Sequence, residues 1–251
     1  MNKILGYPLA FIRFVICIIL MVFYLGGYVL SLIFTKGSRE RTFRLRRNYL
    51  GLITRYILNV KMEVKGQPIE ESALYVCNHR TFSDPAITSI FLNAFVIAKA
   101  EIANYPLINK GAEMTGVIWV KRENRDSRRA TRQALVDTVQ SGYNVLVYPE
   151  GTTNDQKNTL RFLDGTFREM AQIEKPVVPI ALEYRDTKDL WKNRSLAAQY
   201  FRQFSAWKTE IKMEIGPAFR DTDGIVLARK CANWTNEKIN EMQAGWSRAF
   251  A

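Results

Sequence analysis

Histidine and cysteine are the side chains that this chain has least of. Among 251 residues there is one histidine, His79, and there are three cysteines, Cys17, Cys77 and Cys231. One histidine and no paired cysteines argue strongly against a zinc site. An odd number of distant cysteines argues against a disulfide framework and for a reducing compartment. Imidazole is the side chain whose unperturbed pKa suits proton transfer near neutral pH, so a base of that kind must be His79.

Acidic residues are outnumbered. The chain has 36 Lys and Arg against 24 Asp and Glu, which gives a formal net charge of +12. Such an excess points to phosphates, anionic lipid or an acidic partner protein. The cations are concentrated beside a hydrophobic segment and no nucleic-acid motif is found, so no nucleic-acid partner is expected.

Charged residues are absent from the run 14–34. That length can cross a bilayer core. The run is too long for a cleaved signal peptide, and no small-residue cleavage site follows it. Because Gly26 and Gly27 allow a bend, a spanning helix and a re-entrant segment are both open. The positive-inside bias places the following side in the cytoplasm, since that side carries Lys36, Arg39, Arg41, Arg44, Arg46 and Arg47.

A basic helix is predicted directly after this segment. Its apolar residues recur at helical spacing as Leu45, Tyr49, Leu52, Ile53 and Tyr56. A basic helix with such a stripe can lie on anionic lipid, which its position after an anchor favours. The alternative is a stripe that faces the protein core, with a solvated basic face.

The remaining sequence alternates short β-branched runs with helical patterns. Such alternation predicts an α/β domain with a mixed, partly parallel sheet flanked by helices. We expect a membrane anchor and basic helix at 1–58 and one domain at 59–251. Strands are predicted at 74–77, 95–98, 117–120, 145–148, 177–182 and 210–215. Helices are predicted near 84–93, 102–113, 127–140, 165–173 and 227–248.

The histidine lies in the run Asn78-His79-Arg80-Thr81-Phe82-Ser83-Asp84, directly after a predicted strand. On one uninterrupted helix, residues five apart face different ways. His79 can reach Asp84 only if it lies in the turn and Asp84 begins a helix. Asp84-Pro85 is a helix-start signal, so this arrangement is expected.

The pair has a catalytic and a structural interpretation. A base oriented by a carboxylate can activate a hydroxyl, yet no Gly-x-Ser-x-Gly nucleophile motif occurs. An enzyme with a base but no nucleophile of its own needs two substrates of a particular kind. One is already activated, as a thioester is, and the other carries the hydroxyl group that attacks it. The structural alternative is a histidine tied to a helix cap.

Two further polar clusters follow predicted strands. Gly116 begins a run that ends in Lys121 and Arg122, and Arg122 is suited to bidentate phosphate contact. The run Pro149-Glu150-Gly151-Thr152-Thr153 can present backbone N–H groups to a substrate oxygen. Sites gather where strands of an open α/β sheet end. Either cluster alone is also compatible with an ordinary strand end or turn.

Together the clusters resemble the motifs of the glycerophospholipid acyltransferase family, the type that acylates 1-acyl-sn-glycerol-3-phosphate (lysophosphatidic acid). The matching positions, in order, are Asn78-His79-x4-Asp84, Gly116-x-x-Trp119-x-x-Arg122, Pro149-Glu150-Gly151-Thr152-Thr153 and Val177-Val178-Pro179-Ile180. The resemblance covers about residues 60 to 218 and the hydrophobic N-terminus.

The resemblance implies a division of roles. His79 is expected to be the general base and Asp84 the residue that orients it. The acceptor hydroxyl would attack an acyl-CoA or acyl-carrier-protein thioester directly, with no bound cofactor or metal. The expected substrate-binding residues are Asn78, Gly116, Arg122, Glu150, Gly151 and Thr152. Cys77 is expected to be buried and inert.

Two positions depart from the family pattern. Trp119 replaces a Phe, and Thr153 stands where enzymes for lysophosphatidic acid usually have Arg. Losing that cation weakens the case for a phosphomonoester acceptor. We expect lysophosphatidic acid to be the acceptor. The protein would then act in phospholipid biosynthesis at the cytoplasmic membrane. A lyso-ornithine or glycine lipid, or another lysophospholipid, is the alternative, and a non-catalytic protein that binds anionic lipid is the other class considered.

Overall fold

The computed structural model describes residues 3–100, 116–120, 125–192 and 195–246. The expected helix at 102–113 and Arg122 lie outside these residues. Seven strands and seven α-helices are found in the part that is described. The strands are β1 Val60–Lys65, β2 Leu74–Cys77, β3 Ala94–Lys99, β4 Val117–Val120, β5 Asn144–Val147, β6 Val177–Tyr184 and β7 Thr209–Ile215.

Two of the helices precede β1, and the other five lie between later strands or after the last one. They are α1 Lys3–Ser31, α2 Arg39–Leu52, α3 Asp84–Phe91, α4 Arg125–Gln140, α5 Gly165–Gln172, α6 Leu196–Phe204 and α7 Gly224–Ala244. A π-helical turn, Ile53–Ile57, continues α2, and a 3-10 turn, Thr187–Asp189, follows β6. The predicted strands are all found within one or two residues of their expected bounds. Strand β1 and helix α6 were not predicted.

The strands form one mixed sheet in the order β1-β7-β6-β2-β5-β3-β4. Neighbouring strands are parallel except β6 and β7, so β1 and β7 run opposite to the other five. The predicted fold class, a mixed and partly parallel sheet flanked by helices, is confirmed. Since β2 lies between β5 and β6, the ends of three parallel strands meet beside the loop that contains His79.

Strand β2 is buried on both faces, as expected for a central parallel strand. Leu74 and Val76 face the hydrophobic cluster that includes α4, α5 and α7. Tyr75 and Cys77 face the opposite cluster, which includes Leu182 of β6. This alternation follows from the period of two along a strand. The loop after Cys77 is therefore fixed by packing on both sides of the sheet.

Helix α2 packs against the domain. Tyr49 and Leu52 contact the hydrophobic core and Ile53 is buried within it. The guanidinium of Arg46 is buried and donates to the carbonyl of Ala94 at 2.7 Å. The expectation that the apolar stripe contacts lipid is therefore wrong for these residues, and the core-facing alternative holds. Of the other two stripe residues, Tyr56 is 77% exposed and Leu45 is half-buried.

Helix α1 is continuous through Gly26 and Gly27. Its segment Leu5–Ser31 is long and apolar enough to cross a membrane, with a mean hydropathy of 2.6. The N-terminal half docks on the domain through Arg13, which is buried. Its guanidinium donates to the carbonyls that follow α6, those of Phe204 at 2.8 Å, Ala206 at 2.7 Å and Trp207 at 2.9 Å. The domain boundary at 58/59 stays a prediction.

Candidate active site

His79 lies in the turn that leaves β2, and Asp84 is the first residue of α3. Pro85 follows in the first turn, where its missing N–H costs nothing. The Nδ1 atom of His79 is 2.8 Å from Oδ2 of Asp84. The structure therefore brings the two predicted catalytic residues into contact in the geometry that the helix-start signal requires.

The carboxylate of Asp84 is fully buried and surrounded by donors. Its Oδ2 atom also accepts from the backbone N–H groups of Arg80 at 2.6 Å and Thr81 at 2.8 Å, and Oδ1 accepts from Tyr184 Oη at 2.7 Å. An ionised carboxylate can only accept, so Nδ1 of His79 carries the hydrogen. Nε2 is then the basic nitrogen, on a side chain that is 17% exposed.

Tyr148 holds the imidazole from its face. The two rings are 4.3 Å apart between centroids and inclined by 31°. Thr88 Oγ1 donates to the Asp84 carbonyl at 2.8 Å, so Tyr148 Oη donates to that hydroxyl at 3.1 Å. Burial raises the pKa of Tyr148 well above its ordinary value, which keeps this donor neutral.

Glu150 joins the loop after β5 to the histidine. Its Oε1 accepts from the backbone N–H of His79 at 2.8 Å, and its Oε2 accepts from Leu160 N at 2.7 Å and Asn154 Nδ2 at 3.0 Å. Asn154 N in turn donates to the His79 carbonyl at 2.7 Å. Burial raises the pKa of Glu150 above its ordinary value. These contacts make Glu150 a loop organiser, and its contact with substrate stays a prediction.

The other predicted binding residues occupy different places. Asn78 bridges β2 to β6, since its side-chain amide both donates to and accepts from the backbone of Leu182 at 2.8 Å. Gly151 has φ +72°, a conformation that favours glycine, and Thr152 is exposed. Gly116 lies directly before β4, at the far edge of the sheet from β2. The binding roles of these residues stay predictions.

Sequence reasoning missed a buried ion pair below the histidine turn. Arg80 is 1% exposed, and its guanidinium contacts Glu183 of β6 at 2.8 Å. It also donates to the carbonyls of Asn154 at 3.1 Å and Gln156 at 2.6 Å. Gln243 of α7 donates to the same Glu183 oxygen at 2.8 Å. The network fixes the loop after Glu150, and only the position of Arg80 within the first motif could have indicated it.

Cys77 precedes Asn78 and is fully buried. Burial raises the pKa of its thiol well above 9.0, and the charges of Asp84 and Glu150 add to that effect. A thiol in such surroundings is a poor nucleophile. Among the described residues, no group of three or more His, Cys, Asp or Glu is placed to hold a metal ion.

A histidine–aspartate pair at the end of a central strand of a mostly parallel sheet is an arrangement that can activate a hydroxyl group. The model of the acyltransferase family matches residues 59–183. The chain therefore belongs to the acyltransferase family through that segment.

The chain is similar to relatives that are named for two different acceptor lipids. It is 28% identical over 128 residues to the lyso-ornithine lipid O-acyltransferase of Pseudomonas aeruginosa, covering 51% of this chain and 49% of that one. It is 29% identical over 133 residues to the 1-acyl-sn-glycerol-3-phosphate acyltransferase of Neisseria gonorrhoeae, covering 51% of each. The matches thus span about half the length of these curated relatives.

A solved structure has the same fold. The 1-acyl-sn-glycerophosphate (LPA) acyltransferase PlsC of Thermotoga maritima superposes with a TM-score of 0.76 and 20% sequence identity, and all of both chains is covered. At this identity the likeness establishes the fold, including the α/β sheet and the helical N-terminus.

Proposed function

We propose that the protein is a membrane-bound O-acyltransferase that moves a fatty acyl group from an acyl thioester to the free hydroxyl of a lyso-lipid. The observation that carries this proposal is the hydrogen bond from His79 Nδ1 to a buried Asp84 carboxylate. It leaves Nε2 as the basic atom at the carboxyl end of the parallel strands. Ligands bind at this end of open α/β sheets.

The reaction follows from that geometry. Nε2 of His79 takes the proton of the acceptor hydroxyl while the hydroxyl oxygen forms a bond to the carbonyl carbon of the thioester. The carbon–sulfur bond then breaks, and the imidazolium returns the proton to the leaving thiolate. Asp84 stabilises the transient imidazolium and holds the ring in the required tautomer. No acyl-enzyme forms, which agrees with the inert, buried state of Cys77.

The first acceptor that we propose is 1-acylglycerol-3-phosphate, which would give phosphatidic acid. Arg122, Glu150, Gly151 and Thr152 would hold its head group. A lyso-ornithine lipid is the second candidate because Thr153 removes a cation from the motif, and the names of the relatives include both acceptors. Either acyl-CoA or an acyl carrier protein would be the donor.

The membrane attachment is proposed to use α1. Apolar side chains of α1 are exposed along much of its length, for example Phe23, which is 72% exposed, and Leu30, which is 63% exposed. Moving such side chains from water into lipid is favourable at roughly 25 cal/mol per Å² of apolar surface. With the cations of α2 on the inner side, the domain would face the cytoplasm.

The test is an acceptor panel. Purified protein in mixed micelles is incubated with labelled acyl-CoA or acyl carrier protein and with lysophosphatidic acid, lyso-ornithine lipid or lysophosphatidylcholine. We expect one acceptor to be used far better than the others. Thr153→Arg should shift the preference toward the phosphomonoester. Use of another acceptor with no use of lysophosphatidic acid would show that the first choice is wrong.

The catalytic assignment is tested by His79→Ala. The variant should lose about 10²- to 10⁴-fold in kcat while the thermal midpoint is preserved. Gln133→Ala, on the exposed face of α4, serves as the control with normal turnover. A non-catalytic lipid-binding protein would consume no thioester in either case, and normal turnover of His79→Ala would refute the base assignment.

A further inference from the structure

Asp84 uses its two oxygens for different partners. Oδ2 receives the imidazole and two backbone N–H groups. Oδ1 receives only the phenol of Tyr184 among the described residues, at 2.7 Å. Both side chains are fully buried, so water cannot take the place of this donor. Tyr184 of β6 therefore supplies one of the four hydrogen bonds to the carboxylate that orients the base, and the one that Oδ1 accepts.

The tyrosine is itself held by a second buried chain of hydrogen bonds. Because Tyr184 Oη donates to an ionised carboxylate, it must accept from Ser83 Oγ, 3.0 Å away. Ser83 Oγ in turn accepts from Nε2 of Gln203, a residue of α6, at 3.2 Å. The bonds thus run in one direction, from amide to hydroxyl to phenol to carboxylate. Donors arranged this way polarise one another, which strengthens the last bond.

We propose that Tyr184 is a positioning residue of the acyl transfer, which acts through Asp84 on the basicity and orientation of His79. This inference rests on the proposed function for its kinetic consequence only. Removing a donor from a buried carboxylate disfavours the charged form of that carboxylate. The charge that remains is less dispersed and binds the imidazolium more strongly. Both effects act on the same coupled pair and move its titration to higher pH.

Other titratable groups surround the pair and have to be separated from this effect. Burial raises the pKa of Tyr184 well above its ordinary value, and the Asp84 charge adds to that, so the phenol stays a neutral donor. The remaining groups that face Asp84, Tyr184 or His79 are Cys77 of β2, Arg80 of the turn, Tyr148 and Glu150 after β5, and Asp189 after β6. None of them changes in the variants used below.

The test uses the fact that the chain contains a single histidine. Isotope labelling of histidine gives one imidazole signal, which is titrated by NMR in the full-length protein in micelles. Tyr184→Phe removes the donor and keeps the ring. Tyr75→Phe is the matched control, since Tyr75 is equally buried and loses one hydrogen bond, from Ile69 N, without touching Asp84.

We expect the titration midpoint of the imidazole signal to rise by about one pH unit in Tyr184→Phe and to stay in place in Tyr75→Phe. Ser83→Ala should give a smaller rise. In turnover, Tyr184→Phe should lower kcat/KM at pH 7 by about 10- to 100-fold, the range for a hydrogen bond to a charged group. The loss should fall mainly on kcat, and the acid limb of the pH profile should move upward.

The inference and the proposed function fail in different ways. A midpoint that is unchanged in Tyr184→Phe, or that moves equally in Tyr75→Phe, would overturn the role of Tyr184 whatever the enzyme assay shows. A midpoint that rises only in Tyr184→Phe supports it. If that rise occurred in a protein with no acyl transfer to any acceptor, the proposed function would fail while the coupling of Tyr184 to His79 would stand.

Discussion

Replacing Asp84 by Asn tests the charge of the orienting carboxylate separately from its shape. The amide oxygen can take the place of Oδ2 and keep the bonds from His79 Nδ1, Arg80 N and Thr81 N. The amide nitrogen would then face Tyr184 Oη, which can turn to accept from it. The turn should keep its geometry, so the main loss is the attraction between a carboxylate and the imidazolium formed during transfer.

The size of that loss follows from Coulomb's law. With Nδ1 and Oδ2 2.8 Å apart, the charge centres are separated by about 4 Å, and an effective dielectric constant of about 20 gives about 4 kcal/mol. A change of that size in the barrier corresponds to about 10³-fold in kcat. Asp84→Ala should be different, because it leaves several buried donors without an acceptor. At about 1–3 kcal/mol for each donor, its unfolding free energy should fall by several kcal/mol as well.

Thiol release from the acyl thioester that the protein uses measures kcat in wild type and both variants, and thermal unfolding measures their stability. Asp164→Asn is the control, since Asp164 contacts Arg168 at a distance from the histidine turn. It should change neither quantity appreciably. An Asp84→Asn enzyme that retains more than a tenth of wild-type kcat would refute the stabilising role of the charge. Equal stability of Asp84→Ala and wild type would refute the structural role of the carboxylate.

Three other outcomes follow from burial and backbone geometry. Burial raises the pKa of Glu150 above its ordinary value, so the folded state binds this proton more tightly than the unfolded chain. Stability then falls as pH rises from the ordinary glutamate range through the raised pKa, and Glu150→Gln should flatten that slope in urea unfolding. Gly116 and Gly142 both have positive φ, but a Cβ at Gly116 would lie 2.9 Å from the Phe43 ring whereas Gly142 has open space. Thermal unfolding of Gly142→Ala should therefore show only the backbone cost of about 1–2 kcal/mol, and Gly116→Ala about 1–3 kcal/mol more; equal losses would contradict this. Cys77→Ala should keep turnover, and maleimide should leave Cys77 unlabelled in the folded protein, as mass spectrometry can check.

Much of the secondary structure could be predicted from local sequence patterns. Strand β2 has the predicted bounds because four apolar residues in succession end at Asn78, and α3 begins at Asp84 because Asp-Pro is a local start signal. Strand β1 was missed because Val60–Lys65 alternates charged and apolar residues at the edge of the sheet, where burial is one-sided. Helix α6 was missed because Leu196–Phe204 is short, and its aromatic face is recognisable only against α1.

The site was predicted only in part, for a topological reason. His79 and Asp84 are near in sequence, so helix geometry sufficed to place them together. Tyr148 and Tyr184 reach the pair because β2 lies between β5 and β6. The order of strands in a sheet is decided by long-range packing, and it is not contained in the pattern of any one segment. The contacts of Glu150 were unpredictable for the same reason, since its partner is the main chain of a distant turn.

Two carboxylates hold His79 in place. Asp84 accepts a hydrogen bond from its ring, and Glu150 accepts one from its backbone N–H. The proposed base is therefore held in place by both loops. Reaction rates are very sensitive to displacements of about an ångström in the position of a reacting group. A substitution that loosens the loop after Glu150 should therefore lower the measured activity in a mutational screen, although the altered residue contacts neither the substrate nor His79. Substitutions that lower activity should therefore fall in two separate stretches of the sequence, the histidine turn and the loop that follows β5.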